Sequence, residues 1–272
     1  MRLFAIADLH LPSSRHRDMA RFGWDNHPNN VALQWDKTVS PEDCVLVAGD
    51  ISWAAKPAEA LQDLEWIQER PGNKILLKGN HDYWWPDSAT KLKKTLEPFP
   101  SVVGFVHNCA VRWGPFVISG SRLWEVMEAP WEKFSSASCT GKVDLGDALN
   151  TGEATHAARA ADLEKMIQRE TQRLKTSLDD AQTKMAANPQ LIHVVLVHFP
   201  PLYVDGVDTP FSALIESRKP KHCIYGHLHG PSLPSGFVGM RRGVNYVLAS
   251  CDAVGFCPLL VETVPSSARC SP

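Results

Sequence analysis

The sequence lacks any long hydrophobic run and any strong excess of one charge. No stretch of about 18 consecutive apolar residues occurs, so we expect no transmembrane helix and no membrane partner. The 28 Lys and Arg residues nearly balance the 30 Asp and Glu residues, which leaves a net charge of -2. A chain this neutral has no overall basic field to hold extended nucleic acid, so we expect no such partner either.

The sequence also lacks the marks of secretion and of a thiol-based site. Its start, MRLFAIADLH, shows no charged segment followed by an apolar stretch and a small-residue cleavage site, so we expect a cytoplasmic protein. The seven cysteines are odd in number and form no C-x-x-C pair, and Cys44 and Cys223 stand within apolar runs. We therefore expect reduced, buried thiols instead of a disulfide framework or a cysteine-based zinc site.

Short apolar runs alternate with segments of helical spacing. The runs have the length and β-branched content of buried strands, and they cover residues 3–7, 44–48, 74–77, 116–119, 192–197 and 223–225. Pro57 and Pro210 open two helical segments, and a third passes through Leu92 and Leu96. Because strands alternate with helices early and strand-rich sequence follows over 237–264, we predict an α/β fold with a layered sheet core.

One amphipathic segment is unusually long. Residues 153–187 carry apolar side chains at steps of three, four and seven, namely Leu163, Ile167, Leu174, Leu178, Ala181 and Met185. The preceding residues, 125–151, are rich in Ser, Gly and Trp and predict a long loop. We predict a single domain over 1–272 in which this loop and helix, around 125–187, form an insertion or cap. A helix that merely packs on the core is the alternative reading of the segment, and we favour it.

Polar side chains follow five of the apolar runs. They are Asp8 and His10, then Asp50, then Asn80 and His81, then His198, and last His227 and His229. In open α/β sheets, groups at the carboxyl ends of the strands meet in one crevice, so we expect these side chains to converge. Buried carboxylates and imidazoles are costly unless something pairs with them, and a divalent cation pairs with several at once.

The mixture of donors predicts the kind of metal. Imidazole, carboxylate and amide oxygen without thiolate suit Mn, Fe, Co, Ni or Zn better than Ca or Mg. Seven or eight such side chains exceed the roughly four to six ligands that one of these ions accepts. Two ions about 3.5–4 Å apart, bridged by a carboxylate, would use them all. Each block alone is a weak signal, but five in this order are a specific one.

The chain resembles the calcineurin-like metallophosphoesterase superfamily over residues 8–229. The resemblance rests on the order of the five blocks, which are D-x-H, G-D, G-N-H-D, H and G-H-x-H. The phrasing around them is similar to a bacterial group of predicted cytosolic phosphohydrolases. The resemblance implies a four-layer α-β-β-α sandwich with a dinuclear site. It implies that Asp8, His10 and His229 hold the first metal and that Asn80, His198 and His227 hold the second. It also implies that Asp50 bridges both metals. His81 is, on the same resemblance, the catalytic residue over the substrate phosphate.

The resemblance implies a dinuclear metal-dependent hydrolase of phosphate mono- or diesters, with a metal-bridging hydroxide as the nucleophile. We expect a small soluble phosphorylated substrate, and Mn or Fe ahead of Zn, Co or Ni. A nuclease or a pyrophosphatase for nucleotide conjugates is the alternative enzyme. A non-catalytic metal-binding scaffold is the alternative of another class. The sequence leaves the oligomeric state open.

The sequence departs from the protein phosphatases of that superfamily at Trp53, where they carry the Asp that orients the catalytic imidazole. Another group therefore orients His81, or the role of His81 is weaker. We regard Asp82 and Asp252 as candidates to support the ligating imidazoles, with backbone carbonyls as the alternative, because such rings usually donate their second N–H to a carboxylate or a carbonyl. For Asp82, a position in a turn or at a helix N-terminus is equally expected.

Aromatic and basic side chains near the blocks are candidates for contact with substrate. Arg122 could hold a phosphate by a bidentate pair of hydrogen bonds, although an ordinary surface role is equally expected. The aromatics Trp53, Tyr83, Trp84, Trp85 and Trp124 form either a stacking wall for the substrate or ordinary packing between layers, and for any one of them we favour packing.

Overall fold

The computed structural model describes residues 1–12, 19–126 and 153–265, and for 153–161 it describes the backbone alone. Most of the predicted loop at 125–151 lies outside these residues. Strands and helices alternate along the described chain, as expected, and the strands form two sheets.

The first sheet has five strands in the order β11-β1-β2-β3-β4. Its members are β1 (Arg2–Ile6), β2 (Cys44–Val47), β3 (Asn73–Leu77), β4 (Val102–Val106) and β11 (Leu259–Thr263). Strands β1 to β4 run parallel, and β11 is antiparallel at the edge beside β1. Of these, β1, β2 and β3 are mostly buried and apolar because helices and the second sheet cover both faces.

The second sheet has six strands in the order β5-β6-β7-β8-β10-β9. These are β5 (Val111–Trp113), β6 (Phe116–Ser119), β7 (Ile192–Leu196), β8 (His222–Tyr225), β9 (Gly239–Arg241) and β10 (Val244–Leu248). The central four are parallel, and β5 and β9 close the two edges in antiparallel fashion. The carboxyl ends of β7 and β8 carry the last two blocks of the sequence pattern.

Among the described residues, five α-helices and two short 3-10 helices connect the strands. The helices are α1 (Asn29–Thr38), α2 (Pro57–Glu69), α3 (Ala89–Leu96), α4 (Glu153–Ala186) and α5 (Pro210–Ser217), and the 3-10 turns are Met19–Phe22 and Gly230–Ser235. Proline opens α2 and α5 at the first turn, where its missing N–H costs nothing. At α5, Thr209 and Ser212 form a capping box that satisfies two otherwise unpaired N–H groups.

Successive side chains along each strand point to opposite faces of its sheet, so they belong to different layers of the core. Leu3 and Ala5 of β1 face the second sheet, whereas Phe4 and Ile6 face α1, α2 and α3. In the second sheet, Ile118 and Leu196 belong to the core between the sheets. Side chains on the opposite face, such as Val195, pack with α4 and α5. The molecule is thus the four-layer α-β-β-α sandwich that the resemblance implies.

The long helix α4 packs on the second sheet through its second half. Leu174, Leu178 and Ala181 are fully buried, and the helix contacts β6 and α5. Polar contacts fix its position, since Ser177 Oγ accepts from Gly120 N at 2.9 Å and Asp180 Oδ2 accepts from Ala110 N at 2.7 Å. The predicted amphipathic helix is confirmed. That loop and helix form an insertion within one domain stays a prediction.

The described cysteines are free thiols, and Cys44 and Cys223 are buried in their strands as expected. Burial raises the pKa of both thiols well above the ordinary range, which keeps them protonated and unreactive. Within 1–12, 19–126 and 153–265, no helix is long and apolar enough to cross a bilayer.

Candidate metal centre

The loops after β1, β2, β3, β7 and β8 meet at one edge of the two sheets. Backbone hydrogen bonds join the first two loops, from Asp8 N to Gly49 O and from His10 N to Asp50 O, both at 2.9 Å. His81 N donates to Asp50 Oδ1 at 2.8 Å and adds the third loop. His227 N donates to Asp8 Oδ2 at 2.9 Å and ties in the second sheet. The five sequence blocks therefore share one crevice.

The side chains at this edge form two groups with the geometry of metal sites. The first group is Asp8, His10 and His229, and the second is Asp50, His198 and His227; within each, the ligand atoms lie within 4.8 Å of one another. Asn80 joins the second group, because its Oδ1 lies 2.7 Å from His198 Nε2 and 3.0 Å from His227 Nδ1. The structure thus brings all seven predicted ligands together, divided as the resemblance implies.

The carboxylate of Asp50 lies between the two groups. Its Oδ1 is 3.5 Å from His198 Nε2, and its Oδ2 is 3.8 Å from His10 Nε2. Each oxygen therefore faces a different group. A carboxylate that bridges two cations requires this arrangement, with one oxygen available to each.

Four of the candidate ligands hold the backbone in the left-handed region. The φ angles are 58° at Asp8, 44° at His10, 51° at Asp50 and 71° at His227. Residues with a Cβ seldom adopt this conformation, and each instance costs on the order of 1–3 kcal/mol. Such strain persists where the surrounding structure over-determines it, which is typical of functional sites.

Two glycines let the loops approach this closely. A Cβ at Gly79 would lie 2.0 Å from Asp50 Oδ1, and a Cβ at Gly226 would lie 2.5 Å from Asp8 Oδ2. Both contacts are far below van der Waals distance. The glycines in G-N-H-D and G-H-x-H are therefore required by the packing of backbone against the two carboxylates.

Two of the imidazoles are oriented by a partner behind them. His229 Nδ1 lies 2.9 Å from Asp252 Oδ1, and His198 Nδ1 lies 2.9 Å from the carbonyl of Ala48. When each Nδ1 donates a proton to its oxygen, the lone pair of Nε2 faces the crevice. The structure places Asp252 where we expected a supporting carboxylate.

Asp82 stands at the start of a turn, which was one of the two roles expected of it, and its carboxylate holds two loops together. Its Oδ1 accepts from Ile51 N, Ser52 N and Trp84 Nε1, and its Oδ2 accepts from Gly79 N at 2.8 Å. These donors are the backbone of two loops and an indole, so Asp82 supports no imidazole. The buried carboxylate holds the loop after β2 against the loop after β3, and it thereby fixes Asp50 and Asn80 relative to each other.

The electrostatics of the crevice call for added positive charge. Burial lowers the pKa of His10, His198 and His227, so these rings stay neutral. Burial also raises the pKa of Asp50 to about 8, against the nearby His81. At His229 burial acts downward, but the carboxylates of Asp8 and Asp252 raise the pKa to about 10. Asp50 and His229 therefore hold protons more tightly than usual, and these protons supply positive charge that a bound cation would otherwise supply.

The residues fit a pair of divalent metal ions. Two buried nitrogens, His10 Nδ1 and His229 Nε2, have no hydrogen-bond partner among the described residues. Such orphaned buried groups are costly unless a ligand satisfies them. The combined donors are imidazole nitrogens, carboxylate oxygens and one amide oxygen, which suit first-row transition metals.

His81 lies on the open side of the two groups. About a third of its side chain (34%) is exposed, and its Nε2 is 3.9 Å from Asp50 Oδ2. The indole of Trp53 lies 4.5 Å from the His81 ring and stacks on His10 at 4.7 Å. Packing on Trp53 therefore orients this imidazole, where protein phosphatases use a carboxylate, and the backbone N–H of His81 is fixed by Asp50.

The expected substrate-side residues lie beside the crevice. The guanidinium of Arg122 sits 4.8 Å over the ring of Trp124, and Trp124 packs on Phe199, the neighbour of His198. The charge of Arg122 contributes to the lowered pKa of His198, which is first an effect of burial. Trp84 and Trp85 are buried in the core, so they have the packing role that we favoured. Trp53, in contrast, contacts the ring of His81 at the site.

Sequence reasoning missed several residues near the site. Trp24 meets the rings of His10 and His229 edge-on or tilted, at 5.9 Å and 5.3 Å. Lys78, Arg169 and Arg173 line a cavity together with Arg122. The spacing of Arg169 and Arg173 puts both on one helical face, but nothing in the sequence shows which layer that face meets.

Comparison with known proteins identifies the family. The pattern of the calcineurin-like phosphoesterases matches residues 1–231 of the chain. The chain belongs to this family. Among curated proteins, this phosphoesterase-family chain is 37% identical over 76 residues to the Gene 66 protein of Mycobacterium phage D29 and 36% identical over 78 residues to that of Mycobacterium phage L5. Each match spans 28% of the chain, and only 38% and 37% of the phage proteins.

Solved structures overlap with the phosphoesterase-family chain along most of its length. The phosphopantetheinyl hydrolase of Mycobacterium tuberculosis is 18% identical with a TM-score of 0.48, and the overlap covers 100% of this chain and 98% of that one. A protein of unknown function from Aquifex aeolicus is 14% identical with a TM-score of 0.41, at 95% coverage of both chains. Structural matches with TM-scores and sequence identities this low support no conclusion about activity.

Proposed function

We propose that this phosphoesterase-family protein hydrolyses phosphate esters of a small soluble molecule with the help of two divalent cations. Asp8, His10 and His229 would hold one cation, Asn80, His198 and His227 would hold the other, and Asp50 would offer one oxygen to each, with Mn or Fe favoured. One observation carries the proposal, namely that the two oxygens of Asp50 face different ligand groups. A bound pair of cations supplies Lewis-acid charge that activates water and offsets the charge of the phosphoryl group.

The side chains around the crevice perform the remaining tasks. Water loses one proton to solvent as it adds to phosphorus, and the bond from phosphorus to the alcohol oxygen breaks. A protonated His81 gives its proton to the departing oxygen and then takes up a proton from solvent. The partly exposed position of His81, across from Asp50, supports this role. Arg122 follows β6 beside the loop that carries His198, and its positive charge supports the approach of a phosphate anion to the site.

The test is a screen of Mn²⁺-loaded protein against 4-nitrophenyl phosphate, bis-4-nitrophenyl phosphate and a dinucleoside pyrophosphate. We expect metal-dependent hydrolysis of at least one ester, abolished by a chelator and restored by Mn²⁺. Stoichiometric metal without any hydrolysis would contradict the proposal and would favour a non-catalytic scaffold. Hydrolysis confined to the dinucleoside pyrophosphate would replace the ester substrate by the alternative enzyme, a pyrophosphatase for nucleotide conjugates.

A further inference from the structure

A cavity of about 290 Å³ opens where β3, β6 and α4 meet. Four basic side chains line it, Lys78, Arg122, Arg169 and Arg173. They come from two strand ends and from the long helix, so the tertiary fold alone assembles them. The volume lies near the lower end of ligand pockets, which hold roughly 300–1,000 Å³.

The cavity adjoins the proposed metal centre. Lys78 directly precedes the G-N-H-D block, and the carbonyl of Arg122 accepts from the N–H of Phe199, one residue after His198, at 3.0 Å. The field of Arg122 also reaches His198 and Asp50. The cavity thus lies beside the loops that carry Asn80 and His198, and we expect a molecule bound at the metal centre to extend toward it.

The charges in the cavity do not balance. Glu170 is fully buried and its Oε1 lies 2.7 Å from Arg173, 3.7 Å from Arg122 and 3.9 Å from Arg169, so one carboxylate serves three guanidinium groups. The other acid is Asp87, whose side chain is fully exposed and lies 4.0 Å from Lys78 Nζ. Four cations thus face two acids, of which only one is buried.

Arg122 also has donor capacity to spare. Its side chain is 17% exposed, and its Nε is buried without a hydrogen-bond partner among the described residues. A guanidinium in this state is a binding element for a tetrahedral anion, since its planar donors match phosphate geometry in bidentate fashion.

We propose that the cavity binds a second phosphate of the substrate, so that the substrate is a small molecule with two phosphate groups. The metal centre takes the ester that is cleaved, and Arg122, Arg173, Arg169 and Lys78 hold the other phosphate. This inference rests on the proposed function. It also gives α4 a part in substrate recognition beyond its packing on the sheet.

The first test measures binding without turnover. Inorganic phosphate is titrated into metal-free protein by calorimetry, and the parental chain is compared with Arg173→Gln, Arg169→Gln and Glu170→Gln. Loss of one charge-assisted hydrogen bond should weaken phosphate binding about tenfold in each arginine variant. Glu170→Gln removes the opposing charge and should strengthen it, whereas a purely structural ion cluster would lose stability and gain no affinity.

Lys175→Gln is the matched control, because Lys175 lies on the same helix and pairs with Asp179 outside the cavity. It should bind phosphate as the parental chain does. Melting curves by circular dichroism show that each variant is folded. Unchanged phosphate binding in both folded arginine variants would overturn the inference.

The second test compares two nucleotides that share the same 5′-phosphate ester. Adenosine 3′,5′-bisphosphate and adenosine 5′-monophosphate differ only in the second phosphate. The bisphosphate should show a kcat/KM at least about tenfold higher, and Arg173→Gln should erase that preference while Lys175→Gln keeps it. Equal hydrolysis of both would overturn the inference and leave the proposed function standing. If neither is cleaved, the phosphate titration alone decides the inference, and the proposed function depends on the ester screen.

Discussion

At the scale of single residues, His81 differs from the imidazoles around it. His10 and His198 are buried among carboxylates, whereas a third of the His81 side chain (34%) is open to solvent. Its ring is positioned by Trp53 and its backbone by Asp50. A group placed in this way can meet the leaving oxygen of a substrate without being needed to hold a cation.

We expect His81→Ala to lower kcat on an aryl phosphate by about 10²–10⁴-fold, the usual contribution of a general acid. Metal content, measured by mass spectrometry after gel filtration, should stay close to the parental value. His107→Ala, at a position whose Nε2 meets the carbonyl of Asp87 outside the crevice, is the control and should keep its turnover. Parental turnover in the His81 variant would show that the assigned role is wrong.

Asp252 contacts His229, a candidate metal ligand, so we expect the loss of Asp252 to weaken metal binding. Asp252→Ala leaves His229 Nδ1 without its partner at 2.9 Å, and the ring is then free to turn away from the crevice. Loss of such a supporting carboxylate typically weakens metal binding about 10–100-fold. Competition of Mn²⁺ or Zn²⁺ with a fluorescent chelator measures this. Asp36→Ala, which removes an exposed partner of Arg70, should bind metal normally; equal affinity in the two variants would refute the role.

The residues that could be predicted from the sequence are those whose chemistry is costly to bury. The two carboxylates and five imidazoles after apolar runs had few explanations other than a metal centre, and all of them meet in one crevice. Asp82 shows the limit of that reasoning. Its place beside His81 in the sequence predicts a ligand support, but its partners are backbone N–H groups that no sequence pattern reveals.

At the scale of elements, the buried parallel strands were predictable and the exposed ones were not. β1, β2, β3 and β7 are continuous apolar runs, so their positions stand out in the sequence. β4 is only half-buried and contains Gly104, and β5 has three residues, so neither has a clear strand pattern. The length of α4 was predictable from its apolar spacing, whereas the cavity that its charged face lines depends on the packing of layers.

A buried histidine between β6 and β7 makes the free energy of unfolding depend on pH. His193 of β7 lies 2.8 Å from Ser119 Oγ of β6, and burial lowers its pKa from 6.5 to about 4. The folded state therefore resists protonation that the unfolded state accepts. Between pH 6.5 and 4 the unfolded chain binds more protons, so the free energy of unfolding falls as the pH falls through that range.

We expect His193→Gln to flatten this dependence, because glutamine keeps a polar group near Ser119 and does not titrate. Between pH 7 and 4.5 the parental free energy of unfolding should drop by roughly 2 kcal/mol more than that of the variant. Urea denaturation of metal-free protein at several pH values measures the difference. Parallel curves for the two proteins would contradict the assigned burial effect.

At the scale of the whole molecule, the sandwich brings together loops that neither sheet could assemble alone. β1, β2 and β3 supply Asp8, His10, Asp50 and Asn80, and the second sheet supplies His198, His227 and His229. The sheets are held by the apolar core between them, so the geometry of the metal centre depends on the packing of that core. Family membership fixes this architecture, and the cavity under α4 is the feature to which we assign a second phosphate of the substrate.

The central claim is that two cations share Asp50, and metal stoichiometry tests it most directly. Protein stripped of metal, reloaded with Mn²⁺ and freed of excess ion should contain two manganese ions per chain, with the exchange-coupled electron paramagnetic resonance signal of a bridged pair. Asp50→Asn should lose the coupled signal together with hydrolysis. A parental chain that retains a single uncoupled ion, or an Asp50→Asn variant that keeps the coupled pair, would contradict the account.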